Sequence, residues 1–191
     1  MKETLKKIFD HYHKRTSTFV NLKPAAVLIP LFYKEDYIHV LLTQRSEEVI
    51  HHKGQICFPG GSYQSGDTTL LQTALRETEE EIGLIARDVE VLGELDDNST
   101  VTSRYVISPF VALIPYPYVF KANHNEIKQI LSIPLSELTN ELHFQPSSAD
   151  SGNKHPVSYN YHYKEHIIWG VTARILNQLI ELLELRNEAT G

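Results

Sequence analysis

The 191 residues contain a single cysteine, Cys57, so no disulfide can form within the chain. That scarcity predicts a protein that folds without oxidative crosslinks, as suits a reducing cytoplasm. There is no block of Lys and Arg, and the net charge of -6 argues against a surface built mainly for nucleic acid. A long apolar run is also missing. The opening MKETLKKIFDHYHKR carries polar residues where a signal peptide needs an apolar core, and no later stretch approaches the length of a membrane span. The expectation is a soluble, cytoplasmic protein with no membrane partner. Internal repeats are absent too. What is present is ordinary for a globular protein: 41% hydrophobic and 22% charged residues, enough for one domain over residues 1–191 with a substantial core.

Periodicity places the elements. Leu5, Ile8, Phe9 and Tyr12 recur at helical spacing, which predicts an amphipathic helix over residues 2–14. AAVLIPLFY (25–33) and YIHVLLTQR (37–45), separated by KED, read as a hairpin of two buried strands. The glycine-rich HHKGQICFPGGSYQSGD (51–67) reads as loop. Asp67 is the expected N-cap of a helix through TTLLQTALRETEEEI that stops at Gly83 and buries Leu71, Leu75, Thr78 and Ile82. Further strands are expected at 89–95, 104–115 and 118–122, with 94–103 as a long connection. Residues 125–138 read as strand, turn and short helix starting near Pro134, and 144–156 as a polar loop. Tyr159, Tyr161 and Tyr163 alternate as one face of a strand, and a C-terminal helix is expected over 170–186. A mixed sheet covered by helices on both faces, an α/β (α+β) sandwich, is the natural assembly.

The segment RETEEEIG (76–83) is chemically unusual. Glu77, Glu79, Glu80 and Glu81 crowd the last turns of a helix, where like charges repel and the helix dipole favours cations. A solvated charge face would intersperse basic residues, yet none occurs between Arg76 and Arg87. At 100° per residue, Glu77, Glu80 and Glu81 share a side opposite the apolar stripe, while Glu79 points elsewhere. Mg²⁺ or Mn²⁺ takes such oxygen ligands and keeps positions open for water and substrate phosphate. These three carboxylates are the expected metal ligands. Arg76 is expected to orient them by ion pairing.

GGSYQSGDTTLLQTALRETEEEIGL (60–84) resembles the signature of the Nudix hydrolases, G-x5-E-x7-R-E-U-x-E-E-x-G-U, where U is aliphatic. Arg76 to Leu84 keep the family spacing. Asp67 stands where the signature has Glu, with one extra residue after it, and Thr78 replaces an aliphatic residue. LLTQRSEEVIHHKGQICFPGG (41–61) is similar to the segment preceding the box in the branch that includes coenzyme A diphosphatases, and the likeness extends over residues 25–180. The resemblance implies a Nudix-type α/β/α sandwich and a metal-dependent attack of water on a nucleoside diphosphate linked to another group. It implies coenzyme A or its thioesters as substrate, Gly60 adding a carbonyl oxygen to the metal, Gly61 bordering the substrate, and Glu126 as general base. Ile50 departs from the branch, which usually has arginine there. From that position alone the preference for coenzyme A over its 3′-dephospho form is expected to be weak, unless His52 or Lys53 supplies the charge.

Several assignments stay open at this stage. Glu126 reads equally well as an exposed strand-edge carboxylate, Arg45 as a phosphate ligand or a surface residue, and His51 and His52 as loop histidines. Cys57 reads as a small core residue, not a nucleophile. A small-molecule nucleotide is the expected partner, and both monomer and homodimer remain open. Another nucleotide-linked diphosphate, such as a dinucleotide cofactor, is the alternative substrate, and a non-catalytic ligand sensor the alternative function.

Overall fold

A computed structural model describes residues 2–15, 21–48, 53–100, 103–139, 144–147 and 158–188. Ile50, His51 and His52 lie outside the described residues, as does the remainder of the 144–156 segment beyond Ser147.

The main sheet has eight strands: β1 (Lys23–Lys34), β2 (Tyr37–Arg45), β3 (Ile56–Cys57), β4 (Gly60–Ser62), β5 (Glu90–Glu94), β6 (Asn98–Ser99), β7 (Tyr105–Leu113) and β8 (Ile127–Pro134). Its backbone path runs β3-β2-β1-β7-β5, with β4 added to β1, β6 to β7 and β8 to β2. β1 and β7 are parallel and the other pairs antiparallel, so the sheet is mixed as expected. β1 is central, and its side chains are divided by the period of two. Ala26, Leu28 and Phe32 join Ala74 and Ile82 in one core layer, whereas Ile29 and Leu31 join Leu5, Phe9, Ile175 and Leu179 in the other.

The first layer lies under α2 (Leu70–Ile82). The second lies under α1 (Lys2–His11) and α4 (Gly170–Glu188). α4 also packs on a separate three-stranded antiparallel sheet of β9 (Phe144–Ser147), β10 (Ser158–Tyr163) and β11 (His166–Ile168). Tyr161 is buried there, with Tyr159 and Tyr163 half-buried against the same core, so the tyrosines form a packing face. α3 (Leu135–Leu138) follows β8 directly through Pro134, without the expected intervening turn.

Four further expectations change. α1 ends at His11, short of residue 14, because Tyr12 and Lys14 leave the helical path for the acids of 94–97: Tyr12 OH donates to Asp96 at 2.5 Å and Lys14 Nζ reaches Glu94 at 2.5 Å and Asp97 at 2.6 Å. Residues 118–122 form no strand; they cross the end of α2, with Lys121 N donating to Ile82 O at 2.8 Å and the Tyr118 hydroxyl accepting from Ile85 N at 3.1 Å. Phe144–Ser147 pairs with β10 instead of being loop. Lastly, α2 is capped by Thr69, whose side chain accepts from Gln72 N at 3.1 Å, and not by Asp67.

The buried stripe of α2 is centred on Ala74, Thr78 and Ile82, and leaves Leu71 and Leu75 only partly buried at its margin. Thr78 suits a close approach to the sheet. It is short, and its hydroxyl is satisfied by donating to Ala74 O at 2.6 Å. Gly83 ends the helix as anticipated, at φ 70 with its amide donating to Glu79 O at 2.9 Å.

Candidate active site

The glutamates of α2 do not behave as one set. Glu81 is buried, with 2% of its surface exposed, so it belongs to the inward side and not to the face opposite the apolar stripe. Its carboxylate accepts from the backbone N–H of Gly60 at 3.1 Å and faces Arg45 Nη1 at 3.7 Å. Glu77 is half-buried and Glu80, whose side chain is 56% exposed, points outward. Glu79 lies on the exposed side.

Arg76 is the common counter-ion. Its Nη1 donates to Glu77 at 2.9 Å and to Glu80 at 3.2 Å, so it pairs with two of the three expected ligands. On its other edge, Nε and Nη2 grip the two oxygens of Asp67 at 2.9 and 3.0 Å. Asp67 also accepts from Thr73 Oγ1 at 2.8 Å and Gln64 N at 3.0 Å. These donors, Arg76 foremost, hold the Asp67 carboxyl well below the usual carboxylate range. The extra residue in the signature is therefore absorbed in the loop, and the acid still reaches the arginine.

A second element completes the cluster. The last carbonyls of α2 lack partners within the helix. Glu81 O is filled by Asn123 N at 2.9 Å and Ile82 O by Lys121 N, which lays the 121–126 segment over the helix end. Glu126 follows in that turn, anchored by Ser46 N donating to its carbonyl at 2.7 Å and by Asn123 Nδ2 donating to its carboxylate at 3.1 Å. It is half-buried, and its charge acts on both Glu77 and Glu81. The acids of 94–97 are instead tied to the N-terminal segment.

Burial is the main reason the Glu81 carboxyl is pushed up to about 8, with Glu77 and Glu126 adding to it and Gly60 N–H and Arg45 opposing. Glu77 is also raised, by burial first, against the pull of Arg76. Burial, with the Glu81 charge adding, pushes the Cys57 thiol up to about 11, and Thr43 Oγ1 lies 3.5 Å from its sulfur. Such a thiol stays protonated and is no nucleophile at neutral pH.

The glycines form the floor. A Cβ on Gly61 would sit 2.5 Å from the Glu77 carboxylate, and one on Gly60, at φ 149, would lie 2.3 Å from the carbonyl oxygen of Ala26. Glu77 and Glu81 beside this glycine floor, with the Glu126 charge acting on both, are oxygen donors of the kind a hard divalent cation takes. Among the described residues no three His, Cys, Asp or Glu side chains are gathered into a ready cation cage. Three of the four glutamates of α2 lean on a nearer positive group: Glu77 and Glu80 on Arg76, Glu81 on Arg45 and the Gly60 amide.

Of the other sequence candidates, Arg45 faces the cluster at the end of β2, whereas Lys53 is exposed. Sequence reading did not foresee Asn123 and Ser46, which hold Glu126 in place. The only signal for Asn123 was the run of polar residues just before β8, while Ser46 directly follows β2.

A model of the NUDIX domain matches residues 22–153, and the chain belongs to the Nudix hydrolase family. It is 37% identical over 167 residues to the uncharacterized Nudix hydrolase NudL of Photorhabdus laumondii, covering 86% of this chain and 87% of that one. With the protein of the same name from Salmonella paratyphi B it shares 33% identity over 186 residues, 93% of this chain and 95% of that one. Among solved structures, a MutT/nudix family protein from Enterococcus faecalis matches with a TM-score of 0.57 at 14% identity, over 96% of this chain and 75% of that one. No helix among the described residues is long and apolar enough to cross a membrane.

Proposed function

We propose that the chain is a metal-dependent diphosphatase acting on coenzyme A or its thioesters, releasing adenosine 3′,5′-bisphosphate and a phosphopantetheine product. The observation that supports the hydrolytic part is the placing of Glu77 against Gly61 and of Glu81 on the Gly60 amide, with the charge of Glu126, from a separate element, acting on both. Arg76 and Arg45 offset only part of this charge, since Glu77 and Glu81 are both still raised, and a bound cation would offset the rest. The choice of coenzyme A rests on the residues 41–61 that precede the box.

Glu77 and Glu81, with Glu80 turning inward, are the residues that would hold Mg²⁺ or Mn²⁺. A bound cation neutralises diphosphate charge and acidifies water. The protein supplies the rest. Arg76 keeps Glu77 and Glu80 aimed, its own position fixed by Asp67. Arg45 offers positive charge beside Glu81 for a phosphate oxygen. Glu126 accepts the proton of the attacking water, with Asn123 steadying one carboxylate oxygen and leaving the other free for the proton.

Glu126→Gln is accordingly expected to lower kcat by about 10²- to 10⁴-fold with little change in KM, since a base acts in the transition state. A change confined to KM would place the base elsewhere. The substrate is tested by supplying purified protein with Mg²⁺ or Mn²⁺ and a panel of nucleotide-linked diphosphates. Coenzyme A should be split to adenosine 3′,5′-bisphosphate. Turnover of a dinucleotide cofactor but not of coenzyme A would assign the alternative substrate, and binding without hydrolysis a sensor.

A further inference from the structure

The ladder between β2 and β8 breaks register at one step, beside the carboxylates. Thr43 pairs with Ile130 and Gln44 with Gln129, but Arg45 pairs with Ile127, so Lys128 is an extra residue. This is a β-bulge, a device that re-aims side chains and often stands next to active sites. Its effect on the site is direct. Because the extra residue advances β8 by one, Ser46 N meets the carbonyl of Glu126 at 2.7 Å, where an unbroken ladder would bring it to Ile127. The bulge therefore sets the phase of the strand just where it delivers Glu126, and Lys128 is the residue inserted to do so.

Alternation fixes the side from which Lys128 emerges. Ile130 packs in the layer under α2, and Gln129 turns to the opposite side, where its Nε2 donates to Gln44 Oε1 at 2.8 Å. Lys128, one residue further, returns to the α2 side. Ile127 stands on that side too, as the partner of Arg45, whose Nη1 faces Glu81 at 3.7 Å. Two consecutive residues of β8 thus oppose one of β2, the arrangement a bulge produces. They differ in burial: Ile127 is fully buried, whereas Lys128 is exposed and open to a ligand.

We propose that Lys128 is a substrate-binding residue, whose ammonium receives a phosphate oxygen of the substrate's diphosphate beside Arg45. Side chains opposite one another in an antiparallel pair stand roughly 5 Å apart, so the two cations share one edge of the carboxylate cluster. A diphosphate approaching from that edge meets both, Arg45 as a planar fork and Lys128 as a point charge on a flexible stem. This rests on the diphosphatase reading above. β8 pairs with no strand but β2 among the described residues, and lysines and bulges also shield sheet edges. Shielding alone would leave ligand affinity independent of Lys128.

The test is calorimetry with Mg²⁺ and a methylene-bridged ADP analogue, a nucleoside diphosphate whose bridge cannot be hydrolysed. Lys128→Ala should weaken its binding about tenfold, the lower end for a charge-assisted phosphate contact because the ammonium stays in water. Lys128→Arg should bind like wild type, and Lys128→Glu worse than Lys128→Ala. Lys7→Ala, which removes the same charge from the exposed side of α1, should change nothing. In turnover, Lys128→Ala should raise KM and nearly keep kcat, since the contact is made in ground state and transition state alike. Melting temperatures should not move, because the side chain is exposed. Wild-type protein that does not bind the analogue, an affinity unchanged in Lys128→Ala, or an equal loss in Lys7→Ala overturns the proposal. Failure of the diphosphatase reading would show differently, as absent hydrolysis of every nucleotide-linked diphosphate with the analogue still held through Lys128.

Discussion

Glu81→Gln should abolish most turnover, by several orders of magnitude, and at the same time make the metal-free protein harder to melt. Both results follow from one carboxylate. Loss of activity is expected because Glu81 is the most deeply placed candidate ligand and Gln keeps its shape while removing its charge. The gain in stability follows from proton linkage. In the folded protein this carboxyl titrates near 8, against an ordinary value of 4.5, so the native state holds a proton that the unfolded chain gives up. Native stability therefore falls as pH rises from about 4.5 to about 8. Below that window the penalty is absent, and above it the penalty is complete, on the order of a few kcal/mol at most. Melting wild type and Glu81→Gln in chelator across pH 4.5 to 8.5 should give curves that diverge as pH increases, the variant on top. Added Mg²⁺ or Mn²⁺ should raise the wild type and leave the variant nearly unmoved. Normal turnover at saturating metal, or parallel melting curves, would refute the assignment.

The second large effect is expected from adding a single methyl group. In Gly61→Ala the new Cβ falls 2.5 Å from the Glu77 carboxylate, which must swing away and give up its place beside Arg76. A displacement of about 1 Å in a catalytic group costs on the order of 10²-fold in rate. Folding should be little affected, because the obstacle is the movable end of a side chain. Gly60→Ala is the counter-experiment. There the Cβ meets the fixed backbone of Ala26 and Val27 at a φ that L-residues avoid, so the variant should lose stability outright. Near-normal kcat/KM in Gly61→Ala, measured beside its melting temperature, would remove Glu77 from the metal set.

How much of this was legible in the sequence depends on whether a feature is periodic. The β1–β2 hairpin, α2 and its glycine stop, and α4 follow from alternation and helical spacing, and the structure places them within a few residues. Elements decided by contacts distant in sequence were not legible. Residues 118–122 have strand-like composition, yet the unfilled carbonyls of α2 claim them, and no local pattern announces that. Asp67 looks like a cap because capping is local, but a guanidinium nine positions on is the stronger attraction. Among the glutamates, composition identified the cluster and could not rank its members. Which one is buried depends on the loop folding over it, where Gly60 offers an N–H.

The segment from Lys121 to Glu126, hung on the final carbonyls of α2, also has a consequence for fluctuations. Glu81 and Glu126 are far apart in the chain, yet the bond from Asn123 N to Glu81 O leaves only a short turn of backbone between them. Thermal motion of the helix end then carries both carboxylates in the same direction. Their separation varies less than the position of either one in the molecular frame, so the arrangement tolerates a restless helix terminus as long as that one amide stays bonded.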